Sequence, residues 1–199
     1  FLFLLFPPKP ATGSWPVTLG LLEKDVLHFS DDLIVQMGTM LFLGSMAGFY
    51  LGGRLVDRVG TKMVFLTVHF SYCLVLFLVI VRDIVPIPYS WYFSFLTGFL
   101  GLIQASSSIA LTSEMMALAP QENKSLTLSF CLSLQVGGAA LSGVFSGKII
   151  ELGVFSETWS ILGLSLSNYD TLILFYSAMV FVFIVTLGLI PSVVKIKRA

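Results

Sequence analysis

Two stretches of this chain, residues 33 to 53 and residues 63 to 81, carry no formal charge, and only a charged decapeptide separates them. Each is long enough to cross a bilayer hydrocarbon core of about 30 Å as a helix. In lipid the backbone must satisfy its own hydrogen bonds, so unbroken apolar runs of this length fold as spanning helices. The decapeptide, Gly53-Arg54-Leu55-Val56-Asp57-Arg58-Val59-Gly60-Thr61-Lys62, then reads as a tight turn where two helices emerge into water. Composition agrees: 56% of the 199 residues are hydrophobic and 11% charged, about half the charge of an average soluble domain. Net charge is zero, so no basic field suits nucleic acid.

The same reading continues along the chain. An apolar run from Phe1 to Leu22 is interrupted by Pro7, Pro8, Pro10 and Pro16 and is expected to be kinked or broken, because proline removes a backbone donor and clashes with the preceding turn. Its first six residues lack the basic flank of a signal peptide and read as the interior of a helix that begins upstream. Glu23-Lys24-Asp25 marks the first water-exposed turn, with Ser30 or Asp31 capping the next helix. Span two covers about 32–53, span three 62–82, span four 90–118, span five 123–148 and span six 170–190, ended by Pro191. Pro86 and Pro88 set the start of span four. Residues 152 to 169, with Trp159 and Asn168, read as a longer interfacial loop.

Six crossings place both ends on one side, and basic residues say which. Arg54, Arg58, Lys62, Lys124, Lys195, Lys197 and Arg198 lie on one side, against Lys24, Arg82 and Lys148 on the other. That bias makes the decapeptide and the C-terminus cytoplasmic, in a plasma or bacterial inner membrane. The sequon Asn123-Lys124-Ser125 falls on the cytoplasmic side and is discounted. Gly44, Gly48 and Gly52 form a small-residue stripe on span two, and Ala139, Gly143 and Gly147 repeat it on span five. Small residues let helices approach closely in lipid. The echo fits an all-α integral membrane bundle of six helices in two inverted three-helix repeats, 1–82 and 83–199, forming one unit over 1–199.

The decapeptide's pattern, Gly, three residues, Asp-Arg, one residue, Gly, one residue, Lys, resembles the signature turn of the major facilitator superfamily of secondary transporters. Ala119-Pro120 with Lys124 is similar to that superfamily's next cytoplasmic turn, and Trp15-Pro16 through Leu27-His28-Phe29-Ser30 to the end of its seventh helix. The whole chain thus resembles the C-terminal six-helix half, without the N-terminal half and without the Gly-Pro pair that some antiporters carry in span five. The resemblance implies alternating-access transport of a small solute, with an absent N-terminal six-helix half, the lipid bilayer and a coupling ion as partners. It implies a conformational latch of Gly53, Asp57, Arg58, Gly60 and Lys62 with Asp57 at its centre. Physically, Gly53 permits close approach, Gly60 permits a reversal at positive φ, and Asp57 can face the positive end of a neighbouring helix.

The superfamily cavity is lined by the first and fourth helices of each half, which points to Lys9, Trp15, Gln104, Ser107 and Ser108 as substrate contacts beside Ser106. Lys9 stands out because an ionisable group within a span is costly and functional by default. Glu114, near the cytoplasmic end of span four, is a gate or coupling acid within reach of Lys124 or the basic turn. His69 reads as a packed histidine, Gln36 and Gln135 as interhelical hydrogen-bonding groups, and Cys73 and Cys131 as small buried hydrophobes. There is no nucleophile elbow, metal-ligand pair or phosphate-binding glycine loop, so neither an enzyme nor a cofactor or metal is expected. A non-transporting scaffold or receptor on the same fold is the competing reading.

Overall fold

The computed structural model describes residues 15–161 and 163–189. It is mostly helical, with five helices long and apolar enough to cross a membrane. In chain order these are α1 (Trp15–Leu21) with a π-helical turn (Leu22–Val26), α2 (Asp31–Val59), α3 (Thr61–Ile80), α4 (Tyr89–Leu118), α5 (Lys124–Glu151), a hairpin of β1 (Thr158–Ile161) and β2 (Leu164–Ser167), and α6 (Asn168–Leu189). The five candidate spans correspond to α2 through α6. The expected first crossing, with its proline interruptions at 7, 8 and 10, falls mainly outside the described residues.

Local chemistry accounts for the helix ends. Ser30 occupies the N-cap of α2 in extended conformation, and its carbonyl accepts from the N–H groups of Leu33 and Ile34. Pro88 stands at the N-cap of α4, where a missing N–H costs nothing. At the end of α5, Gly153 takes φ +61, with Gly153 N–H donating to Ile150 and Val154 N–H to Ile149, the Schellman arrangement.

Two expectations change here. The chain is not wholly α: residues 158 to 167 pair antiparallel, with Trp159 opposite Leu166 and Ile161 opposite Leu164. Thr-Trp-Ser-Ile and Leu-Ser-Leu-Ser alternate polar and apolar residues with period two, a strand signal that the loop reading passed over. Nor does α2 end at Gly53. At 29 residues it is about 44 Å long, longer than the hydrocarbon core, so its last two turns carry Arg54, Asp57 and Arg58 beyond it while still helical.

The core lies between α3, α4 and α6, where Phe65, Val75, Val79, Phe93, Leu100, Leu172 and Ile173 are almost completely buried. Against it, α2 closes on α4 through glycines. A methyl on Gly44 would stand 1.8 Å from the Gly98 carbonyl oxygen, one on Gly48 2.3 Å from that of Leu102, and one on Gly101 2.0 Å from that of Leu41. Ser106 Oγ then reaches the Gly48 carbonyl oxygen at 3.1 Å. Packing at this range makes dispersion and hydrogen bonding do the work that hydrophobic exclusion cannot do in lipid. His69 is a packed core side chain, its Nδ1 2.8 Å from the Phe65 carbonyl and its ring against Phe65, Tyr72 and Phe183.

Candidate functional site

Chemistry-bearing residues gather at the two ends of the bundle. At the end holding the decapeptide, the reversal between α2 and α3 is one residue long: Gly60, at φ +85, is both C-cap of one helix and N-cap of the next. A side chain would be strained there, and the reversal at positive φ expected of Gly60 is present. Gly53 has no atom near its missing Cβ, and the close approach expected of it belongs to Gly52, whose Cβ would meet Ser106 Cα at 2.7 Å. That is one helical step away, on the face turned toward α4.

Thr61, the first residue of α3, donates from Oγ1 to Glu114 Oε2 at 2.7 Å, and Glu114 is 8% exposed. Glu114 therefore does meet the decapeptide, through a hydroxyl. Lys124, the other expected partner, is exposed and makes no ion pair among the described residues. Arg54 stacks over Tyr50 with its guanidinium carbon 4.4 Å from the ring centroid, and Lys62 is half-buried. Asp57 and Arg58 are exposed on the last turn of α2. Arg58 complements the negative helix end, while a carboxylate at Asp57 opposes it. Asp57 makes no hydrogen bond or ion pair among the described residues.

Of the expected substrate contacts, Lys9 and the side chain of Trp15 lie outside the described residues. Gln104 and Ser108 are half-buried and Ser107 is buried, none with a side-chain hydrogen bond among the described residues. At 100° per residue, Gln104 and Ser108 share one face of α4 with Thr97 and Met115. Met115 marks where that face points, since its sulfur accepts from Gln135 Nε2 of α5 at 3.1 Å. Gln135 is thus the interhelical group expected, and Gln36 instead lines an outer groove of about 280 Å³ with Trp91 and Ser94.

The opposite end holds what the sequence reading missed. Arg82, counted there as a loop charge, is 3% exposed and forks onto Asp170, 0% exposed, with nitrogen–oxygen distances of 2.5 and 3.0 Å. Burial pulls the guanidinium pKa down, but the hydrogen bonds and charge of Asp170 outweigh it and leave the pKa raised. Asp170 also accepts from the N–H and Oγ of Ser167, both at 2.8 Å, and its own N–H points back to Ser167 Oγ. Ser167-Asn168-Tyr169-Asp170 is a capping box at the start of α6, a signal readable from Ser-x-x-Asp before an apolar run. Trp159 Nε1 donates to Thr171 Oγ1 at 2.8 Å, fastening the hairpin to the same helix start.

Glu23 departs furthest from expectation. In place of the expected water-exposed position it is 3% exposed, because the π-helical turn at 22–26 swings it inward while Lys24 and Asp25 stay out. Its Oε1 and the Oγ1 of Thr97 have no hydrogen-bond partner among the described residues, and both residues line a cavity of about 150 Å³ between α1, α2 and α4. Burial pushes the Glu23 carboxyl up to about 7 from 4.5. Among the described residues no group of three or more His, Cys, Asp or Glu could hold a metal ion. Compared with family models and with curated proteins, the chain matches none.

Proposed function

We propose that this chain is one six-helix half of a secondary transporter of the major-facilitator type, moving a small solute by alternating access. The observation that carries the reading is the decapeptide, Gly53 to Lys62, with its Asp-Arg pair, its Gly60 reversal and its tie to Glu114 through Thr61. A turn that only set topology would need basic residues but neither an aspartate opposed to its own helix dipole nor a glycine at positive φ. An exposed Asp57 without a partner among the described residues is available to a second helical body, which is what a latch between halves requires. On this reading the chain's first and last three spans are inverted repeats, and the first and fourth spans present Lys9, Trp15, Gln104, Ser107 and Ser108 to the solute. Glu114 serves as gate or coupling acid, and the decapeptide and C-terminus face the cytoplasm.

The test is an uptake screen of the full-length protein in proteoliposomes. Saturable uptake of one solute is expected, and Asp57→Asn should slow it severalfold with the amount of membrane-inserted protein unchanged. A helix-end carboxylate contributes about 0.3–2 kcal/mol, enough to shift conformational populations without unfolding the bundle. Uptake untouched by Asp57→Asn across pH and voltage would remove the latch, and no uptake of any solute would favour the scaffold reading.

A further inference from the structure

Among the described residues, and apart from Arg82 Nε, Glu23 Oε1 and Thr97 Oγ1 are the buried side-chain polar atoms without a hydrogen-bond partner, and both residues line the 150 Å³ cavity. Its remaining walls are apolar, including Leu19, Met37 and Leu100, with Gly38 leaving space where a side chain would project. A buried water needs two to four polar partners, so the two oxygens by themselves hold one or two waters. Beyond those oxygens, its volume of about 150 Å³ is walled by apolar side chains. A carboxylate taken out of water also needs a cation or a proton. Positive charge, hydrogen-bond donors and a short apolar body meet all three demands.

We propose that this cavity binds a small primary alkylammonium ion, its ammonium donating to Glu23 and Thr97 and its stem of about three carbons lying against Leu19, Met37 and Leu100. The proposal stands apart from the transport reading, because binding is measured at equilibrium. The cavity walls contributed by α2 and α4 hold no other titratable group. On Glu23's own turn Lys24 lies 3.7 Å from Asp31, and Asp25 accepts from Tyr169 of α6. Of the charged groups near this end on α5 and α6, Lys148 is paired with Glu151 and Asp170 with Arg82.

A proton competes with the ammonium for Glu23. The ligand therefore binds weakly below the folded pKa of about 7 and more tightly as pH rises through it, while the amine keeps its own charge to about 10. The experiment is calorimetric titration of the full-length protein with n-propylammonium chloride at two pH values either side of 7. Binding should be about ten-fold tighter at pH 8 than at pH 6. Glu23→Gln should weaken it at least about ten-fold and abolish the pH dependence. Gly38→Val fills the cavity with Glu23 in place, and its first carbon meets nothing within 4 Å, so it should fold and lose binding. No measurable binding to the unaltered protein, unchanged affinity in Gly38→Val, or equal affinity for n-propanol would overturn the proposal.

Discussion

Gly44, Gly48 and Gly52 on α2 and Ala139, Gly143 and Gly147 on α5 share one spacing but meet different surroundings. The α2 stripe is pressed into the backbone of α4, where an added methyl would overlap carbonyl or Cα atoms at 1.8, 2.3 and 2.7 Å. A methyl on Gly143 or Gly147 would meet nothing within 4 Å, and Leu141, Val144 and Phe145 beside them are exposed. One stripe is a closed seam and the other an open face. The difference teaches that a small-residue stripe licenses close approach without creating it; a facing helix must supply its own glycines, as Gly98 and Gly101 of α4 do. A third junction, α3 with α6, closes partly by charge, through Arg82 and Asp170 at the end away from the decapeptide.

The comparison can be broken at each junction, and the largest effect is expected at the closed seam. Gly44→Ala sets a carbon 1.8 Å from a backbone oxygen, which no rotamer change relieves, so α2 and α4 must separate. We expect no monodisperse protein on size-exclusion chromatography in detergent. Wild-type yield and melting temperature would show that the seam is not closed in the membrane. At the charged junction, Arg82→Met strands Asp170 in a site of 0% exposure and should cost about 3–5 kcal/mol. In thermal unfolding, Arg82→Met with Asp170→Asn should recover part of the loss; a single variant as stable as the double would mean the pair is not buried. The smallest effect belongs to the open stripe. Gly143→Ala with Gly147→Ala should leave stability unchanged or raise it by up to about 1 kcal/mol per site through helix propensity. Strong destabilisation of the full-length protein by that double change would reveal that a second body closes on α5.

Five of the six expected spans are long apolar helices in the structure, the first expected crossing lying mainly outside the described residues, and their ends were legible to within a few residues except at α2, which continues past Gly53 to Val59. Span four, read as 90–118, is α4 at 89–118, and span three, read as 62–82, is α3 at 61–80. The start of α2 at Ser30 or Asp31 and the positive φ of Gly60 were legible as well, because helix-start and turn geometry are set within a few residues. The hairpin and the Ser167–Asp170 capping box were also written locally, as a period of two and a four-residue motif, and were hidden by reading that stretch for hydropathy. Only the tertiary structure decided which glycine stripe is sealed, that Glu23 turns inward beside Thr97, and that Arg82 leaves the loop charges for Asp170. It also gave Glu114 to Thr61. These partners lie 88 and 53 positions apart along the chain, and no local period encodes which helix faces which. Length and hydropathy decide that a segment enters the bilayer. Its azimuth and neighbours are set by interlocking backbones and by buried polar groups finding each other, both of which require the whole bundle.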